Sequence, residues 1–224
     1  DHCIYIDTDS VFYSALPIVE KLMPEVDVNN DEEMSSAILK VAGNVQDFLN
    51  KSYNLMAKKF YNLDTHRFDI KQEVIAKRGI WLAKKRYAQW IINNNGVPCD
   101  ELEVKGLDVV RSSYPTRFRS FMTEILQDIL RDVPKEDLDE KILNFKDKIK
   151  NESVTDIAKT SAVKNVTKYV KMMNKDAALG QVAKGTPAHV KASIIHNQFC
   201  KKYNIKVEPI KNGEKIKWIY LKTN

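Results

Sequence analysis

Apolar and polar residues alternate differently in the two halves of the chain, which predicts a strand-rich first half and a helical second half. Residues 4–13 place β-branched and aromatic residues on both sides of a short polar turn, so they predict a β-hairpin. From Asp31 to Tyr61 apolar residues recur at helical spacing and predict one long helix capped by Asp31 or Ser35. Its apolar stripe consists of Ile38, Val41, Val45, Phe48, Met56 and Phe60.

Strand-like alternation returns over residues 66–92. The sequence Asn-Asn-Asn-Gly at residues 93–96 is typical of a turn, and a further strand is expected near residues 102–110. These segments complete an antiparallel sheet that accompanies the long helix.

The second half returns to helical spacing. One helix is expected from residues 112–115 to Pro134, a second over residues 138–149, and a third from residues 185–187 to about Tyr203. A final hairpin is predicted, with strands at residues 205–210 and 216–221 and its turn at residues 211–214. Together the elements predict an α+β fold, with a partial antiparallel sheet and long helix followed by a mainly helical region.

Composition excludes several classes of protein. A chain of 224 residues, 43% hydrophobic and 29% charged, has the composition of a globular protein. It has no apolar run of about 18 residues, so neither a membrane-spanning helix nor a membrane partner is expected. Three cysteines without a CxxC motif and four histidines support neither a disulfide framework nor a zinc site, and a cytoplasmic location is expected.

Charge is distributed unevenly along the chain. Residues 1–57 carry three lysines against ten acidic residues, a net charge of −7, and residues 164–224 carry thirteen lysines against three acidic residues, a net charge of +10. Lysine-rich segments are often only solvated surface. The alternative is a phosphate-binding module attached to an acidic, cation-binding one.

The motif with the clearest chemistry is Asp-Thr-Asp-Ser at residues 7–10, inside IYIDTDSVFY. Asp and Ser favour turns, so a purely structural hairpin tip is one interpretation. A calcium loop is excluded, because Phe12 and Ile18 stand where Gly and Glu are required. A haloacid-dehalogenase-type phosphatase fits the motif but not the helical, lysine-rich second half. The remaining interpretation is a Mg²⁺ site for phosphoryl or nucleotidyl transfer, in which Asp7 and Asp9 are ligands.

A second motif, Lys-Lys-Arg-Tyr-Ala at residues 84–88, makes the last interpretation more specific. With the first motif it resembles DNA polymerases of family B, whose palm domain carries YxDTDS and then KKRYA. Residues 68–75 resemble the palm strand that bears a further acidic residue, Glu73. The sequence VKGLDVVRSS at residues 104–113 resembles the start of the thumb domain, and KGTPAHVK at residues 184–191 resembles the thumb of T-even-like bacteriophage polymerases.

The resemblance implies a role for each matching residue. Asp9 is expected to be the principal metal ligand, with Asp7 less direct and with Thr8 and Glu73 near the site. The residues expected to bind primer or duplex DNA are Lys84, Lys85, Arg86, Tyr87, Lys105, Arg111, Lys184, His189 and Lys191. A lysine can reach minor-groove acceptors common to all base pairs, and a basic thumb binds phosphates irrespective of sequence. Arg117 and Arg119 lie at the start of the helix that is expected from residues 112–115 to Pro134. Their side chains either bind phosphate or face water.

The resemblance also implies missing parts. The family's other metal-binding aspartate, its nucleotide-binding lysine and its exonuclease belong to motifs absent from this sequence. We therefore expect residues 1–107 to be the C-terminal part of a palm and residues 108–224 a thumb. Primer-template DNA, dNTPs, two Mg²⁺ ions and an N-terminal polypeptide with the fingers and the rest of the palm would be its partners, in the host cytoplasm if viral. A non-catalytic DNA-binding subunit is the alternative.

Overall fold

The computed structural model describes residues 2–173 and 178–220. In this part of the chain, helices are combined with small antiparallel sheets, so the predicted α+β class is confirmed. The chain divides into two compact units. The first comprises the residues up to Leu107 with Leu126–Val133, and the second comprises Asp108–Ile125 with the residues from Pro134 onward.

The first unit is built from two short strands, two helices and a three-stranded sheet. Its elements are β1 (Cys3–Asp7), β2 (Ser10–Tyr13), α1 (Leu16–Leu22), α2 (Asp31–Tyr61), β3 (Val74–Ala83), β4 (Arg86–Asn94) and β5 (Val97–Lys105). The hairpin predicted over residues 4–13 is confirmed by the antiparallel pairing of β1 with β2. In its hydrophobic core, Val19 of α1 packs against Ala37 and Val41 of α2.

The long helix α2 has the bounds that its apolar periodicity predicted. Its cap was predicted wrongly, because Asn30 rather than Asp31 or Ser35 accepts hydrogen bonds from the backbone N–H groups of Glu32 and Glu33. The predicted stripe is also not buried throughout. Val41 is 4% exposed, whereas Phe48 and Phe60 are each 68% exposed.

The sheet is a meander in which β4 lies between β3 and β5. The β3–β4 turn consists of Lys84 and Lys85, since Ala83 pairs with Arg86. The turn predicted at residues 93–96 is confirmed in place between β4 and β5, although only Asn95 and Gly96 lie between the strands. Two strand predictions were wrong in extent: β3 begins at residue 74, so residues 66–73 lie outside it, and β5 spans residues 97–105 rather than 102–110.

The second unit is mainly helical. Its elements are α3 (Thr116–Leu130, whose last residues belong to the first unit), α4 (Lys135–Lys148), α5 (Val154–Ile157), β6 (Lys159–Ala162), α6 (Val166–Lys171), α7 (Ala188–Lys202) and β7 (Lys215–Trp218). The three helices predicted from periodicity are therefore confirmed as α3, α4 and α7. Val163, Val190 and Ile194 form the buried core.

The predicted C-terminal hairpin was wrong. The turn at residues 211–214 exists, but β7 pairs with β6, more than 50 residues earlier, and residues 205–210 form no strand. Leu221, the predicted end of the last strand, lies outside the described residues. Within residues 2–173 and 178–220, no helix has both the length and the apolar character needed to cross a membrane.

Candidate active site

The first motif forms the turn between β1 and β2. Asp7 ends β1 and pairs with Ser10, so Thr8 and Asp9 make a two-residue turn in which Thr8 has a positive φ of 55°. The side chain of Asp7 is 23% exposed, and Asp9 lies exposed at the tip. The backbone N–H of Asp9 donates to the Asp7 carbonyl oxygen at 2.7 Å and the Ser10 hydroxyl donates to the same oxygen at 3.1 Å, which fixes the turn.

The second motif forms the β3–β4 turn and contacts the first motif directly. The backbone N–H of Lys85 donates to the Tyr5 hydroxyl oxygen at 2.8 Å, across 80 residues of sequence. The same hydroxyl donates to Asp7 Oδ2 at 3.3 Å, and Lys85 Nζ lies 3.7 Å from Asp7 Oδ1. Tyr5 thus joins the Lys85 backbone to the Asp7 carboxylate, and the Lys85 ammonium forms an ion pair with the same carboxylate.

An aromatic cluster lies beneath this contact. Tyr5, Phe12, Trp81 and Tyr87 have ring centroids 5.7–6.4 Å apart in five pairs, a spacing typical of packed aromatic side chains. Tyr87 is only 9% exposed. Burial, followed by the nearby Glu103 carboxylate, raises the pKa of the Tyr87 phenol. The cluster therefore fixes the β1–β2 hairpin on the β3–β4 hairpin through apolar contact.

Gly106 lies close to the backbone of the second motif. It has a positive φ of 65°, and a Cβ built there would come within 3.0 Å of the Lys85 carbonyl oxygen. Glycine suits both the conformation and the close approach. The lack of a side chain at position 106 therefore lets the chain after β5 pass close to the β3–β4 turn.

A polar network crosses the neighbouring strands. Gln89 is completely buried in β4 and donates through Nε2 to the Glu103 carboxylate of β5. Lys105 Nζ lies 2.9 Å from the other carboxylate oxygen of Glu103. This hydrogen bond and the charge of Glu103 raise the pKa of Lys105 above its usual value, so the lysine stays protonated. Lys105 pairs with Tyr87 across the strands, which places its charge at the same end of the sheet as the turn.

The two aspartates fit part of a magnesium ligand set. Mg²⁺ takes oxygen ligands and is commonly held by one or two protein carboxylates plus water and substrate phosphates. The carboxylate of Asp9 makes no hydrogen bond or ion pair within the described part of the chain, whereas Asp7 is bonded to Tyr5, Lys85 and Thr8. Among residues 2–173 and 178–220 no group of three or more His, Cys, Asp or Glu that could hold a metal is present.

The remaining predicted residues lie in different parts of the structure. Lys84 and Arg86 are exposed beside Lys85. Glu73 does not lie near this turn, because its carbonyl oxygen accepts a hydrogen bond from the Asn95 N–H at the opposite end of β3. The rise of a ten-residue strand separates Glu73 from the Lys84–Lys85 turn by roughly 30 Å.

The other predicted DNA-binding residues belong to the second unit. Arg111 forms an ion pair with Asp108 at 3.0 Å. Lys184 and Lys191 are exposed near the start of α7, and His189 packs against Trp218 with ring centroids 6.3 Å apart. The basic residues at this end of α7 are therefore accessible to an anionic partner.

A comparison with protein families decides the classification. A family model for DNA polymerase family B matches residues 32–224. The chain belongs to DNA polymerase family B. The match includes the KKRYA turn, Lys105 and Gly106 of this family B polymerase, and the DTDS hairpin lies before its first residue. A search of curated proteins found no match.

Sequence reasoning missed two residues that shape the site of this family B polymerase. Tyr5 was treated only as part of a motif, although its hydroxyl joins the two motifs. Gly106 was noted only within the sequence VKGLD. A glycine directly after a strand is a signal for positive φ, but its approach to Lys85 depends on a contact that no local pattern contains.

Proposed function

We propose that this chain is the C-terminal palm and thumb portion of a family B DNA polymerase of the T-even bacteriophage type. Residues 1–107 would be palm and residues 108–224 thumb. The observation that carries the proposal is the hydrogen bond between Tyr5 and Lys85, because it brings the DTDS turn and the KKRYA turn together. Two motifs that act on one primer terminus must be neighbours, and here they are.

The proposed reaction is template-directed primer extension. The 3′-hydroxyl oxygen of the primer forms a bond to the α-phosphorus of a dNTP, the bond from that phosphorus to the bridging oxygen breaks, and pyrophosphate leaves. Bound Mg²⁺ would lower the pKa of the attacking hydroxyl and neutralise charge on the phosphates. Asp9 would be the ligand contributed by this turn, because its carboxylate is exposed while that of Asp7 is engaged.

The second motif would position the primer. The side chain of Lys85 is 66% exposed and its ammonium lies beside Asp7, so this side chain can extend toward the minor groove while the Lys85 backbone is held by Tyr5. Lysine donors bind acceptors shared by all base pairs, which suits a polymerase that must accept every sequence. Tyr87 is packed inside the aromatic cluster, and its contribution would be to support the turn.

The metal site would be completed by residues outside this chain. Two carboxylates at one turn are fewer protein ligands than the family uses, and the described residues add none nearby. We infer that a polypeptide carrying the rest of the palm and the fingers supplies the remaining aspartate and the dNTP-binding lysine. The lysine-rich residues 164–224 would then bind phosphates of the duplex DNA.

Primer extension with Mg²⁺ tests the proposal. The chain is assayed alone and with a polypeptide that supplies the N-terminal palm and fingers. Extension is expected only in the mixture. Asp9→Asn should abolish extension without changing primer-template affinity, and Asp47→Asn, at an exposed position of α2, serves as the control for charge. Asp7→Asn should retain measurable extension and weaken primer-terminus binding, because Lys85 loses its ion pair.

Four outcomes would contradict parts of this scheme. Full extension by Asp9→Asn would remove the metal-ligand assignment. Extension by the chain alone would show that its metal ligands are complete. A stable complex that binds DNA but never extends a primer would instead favour a non-catalytic DNA-binding subunit. Hydrolysis of small phosphoesters by the chain alone would favour a phosphatase.

A further inference from the structure

The second unit contains a polar cavity of about 60 Å³ that lies outside the candidate active site. It lies between the start of α3, the short helix α5 and the β6–β7 pair. Its polar lining consists of Ser112, Tyr114, Thr116, Arg119, Thr155, Asp156, Thr160 and Lys217. Roughly 15 Å³ is enough for one water molecule, so the cavity can admit a small oxyanion.

Arg119 lines this cavity, and its guanidinium is only partly paired. Its Nη2 donates to the Thr116 hydroxyl oxygen at 3.3 Å. Its Nε is buried and has no hydrogen-bond partner within the described residues. Arginine stays charged at all ordinary pH values, and burying a charge without a partner is destabilising. An anion bound in the cavity would offset the charge of this guanidinium.

The remaining charges favour an anion. Lys217 in β7 stands opposite Thr160 in β6, and its Nζ donates to the Thr155 carbonyl oxygen at 2.9 Å. Only one of its three donors is used in that bond. With Arg119 and the single carboxylate of Asp156, the lining carries a formal charge of +1. The first backbone N–H groups of the 15-residue helix α3 add partial positive charge at the same place.

The neighbouring arginine provides a contrast on the same helix turn. Arg117 is exposed, does not line the cavity, and already forms an ion pair from Nε to Glu152 at 2.8 Å. The sequence offered no way to separate Arg117 from Arg119. The structure separates them, because Arg117 already has a carboxylate partner, whereas Arg119 lines the cavity and forms no ion pair within residues 2–173 and 178–220.

We propose that this cavity binds a phosphate group, with Arg119 and Lys217 as its charged ligands. The group could be a free phosphate ion or a phosphodiester of a DNA strand, since both present the same oxygens. The site is formed within the second unit and does not require polymerase activity. A failure of primer extension would therefore leave it unaffected.

Titration with inorganic phosphate tests the site in the full chain. Ionic strength is kept constant with chloride, and the Nε–H resonances of the arginines are followed by NMR. The Arg119 resonance should shift saturably, whereas that of Arg117 should not. Arg119→Gln should weaken phosphate binding about tenfold or more, the effect of losing a charged hydrogen bond. Arg117→Gln should leave the dissociation constant essentially unchanged.

A second variant guards against misfolding. If Arg119→Gln lowers the melting temperature strongly, Arg119→Lys keeps the charge and most of the volume but lacks the planar guanidinium with its five donors. It should bind phosphate more weakly than the unmutated chain while retaining its far-ultraviolet circular dichroism. Equal phosphate binding by Arg119→Lys and the unmutated chain would contradict a specific role for the guanidinium.

A competition experiment with duplex DNA distinguishes the two sources of phosphate. If a short duplex displaces phosphate and Arg119→Gln loses affinity for the duplex, the ligand is a backbone phosphate. If phosphate still binds in the presence of saturating duplex, the ligand is a free phosphate. Either result supports the site. A shift of the Arg119 resonance that never saturates, or an equal loss of phosphate affinity in Arg117→Gln, would reduce the effect to general surface charge and overturn the proposal.

Discussion

Gly106 provides the sharpest test of how the KKRYA turn is held. A methyl group at this position would come within 3.0 Å of the Lys85 carbonyl oxygen, and the backbone φ of 65° is itself unfavourable for a residue with a side chain. The obstacle is backbone, so no rotamer change can relieve it. Gly106→Ala should therefore displace the turn, Gly106 or both.

The magnitude follows from two contributions. A left-handed conformation costs alanine about 1–2 kcal/mol. Steric overpacking adds about 1–3 kcal/mol, so Gly106→Ala should destabilise the sheet by roughly 2–5 kcal/mol. Gly96→Ala is the matched control, because Gly96 has a φ of 84° in the next turn of the same sheet and nothing within 4 Å of its Cβ position. That control should show only the backbone contribution of about 1–2 kcal/mol.

Native-state amide exchange in β4 measures the opening free energy of this sheet directly, since β4 is its central strand. Gly106→Ala should reduce protection in β4 more than Gly96→Ala does. It should also reduce affinity for a primer terminus in the assembled polymerase, because Lys85 moves. Equal loss of protection in the two variants would refute the close approach as the reason for glycine, and the strain would then come from φ alone.

Two further predictions concern bonds in the first unit. Tyr5→Phe removes the hydroxyl between Lys85 and Asp7 and should destabilise the chain by about 1–3 kcal/mol in urea unfolding; an unchanged midpoint would contradict that bond. Hydrogen bonds from the Trp90 indole and the Arg131 guanidinium lower the pKa of Asp100. The stabilisation that results from the lowered pKa is present above about pH 4 and is lost as the pH falls through the pKa of Asp100 in the folded chain. The stability of Asp100→Asn in acid should therefore depend less on pH than that of the unmutated chain.

Local patterns predicted the helices better than the strand pairings. The helix from Asp31 to Tyr61 was found with its bounds because its periodicity lasts for many turns. The partner of β7 was not found, because Lys-Thr-Ser-Ala at residues 159–162 has neither an apolar alternation nor a nearby turn. Pairing between strands far apart in sequence is decided by tertiary packing, which a local pattern does not record.

The candidate site was predictable as two motifs and not as one arrangement. The resemblance to the family indicated Asp9 and Lys85 as site residues. The hydrogen bond that connects their two turns joins Tyr5 and Lys85, which are 80 residues apart in the sequence. Glu73 was expected near the site because residues 68–75 resemble the palm strand that bears a further acidic residue. The strand starts only after it, and its backbone bonds to Asn95 at the other end of the sheet.

The two aspartates of the DTDS turn have different surroundings, and this difference follows from the hairpin itself. Asp7 is the last residue of β1, so its side chain stays beside the sheet, where Tyr5, Thr8 and Lys85 can reach it. Asp9 follows a residue of positive φ at the tip, which turns its carboxylate away from those partners and toward solvent. A cation bound at Asp9 would not have to break the bonds that position Lys85. If Asp9 is a metal ligand and Lys85 positions the primer, the two roles do not compete, because Asp9 would bind the cation while Asp7 contacts Lys85 of the β3–β4 turn.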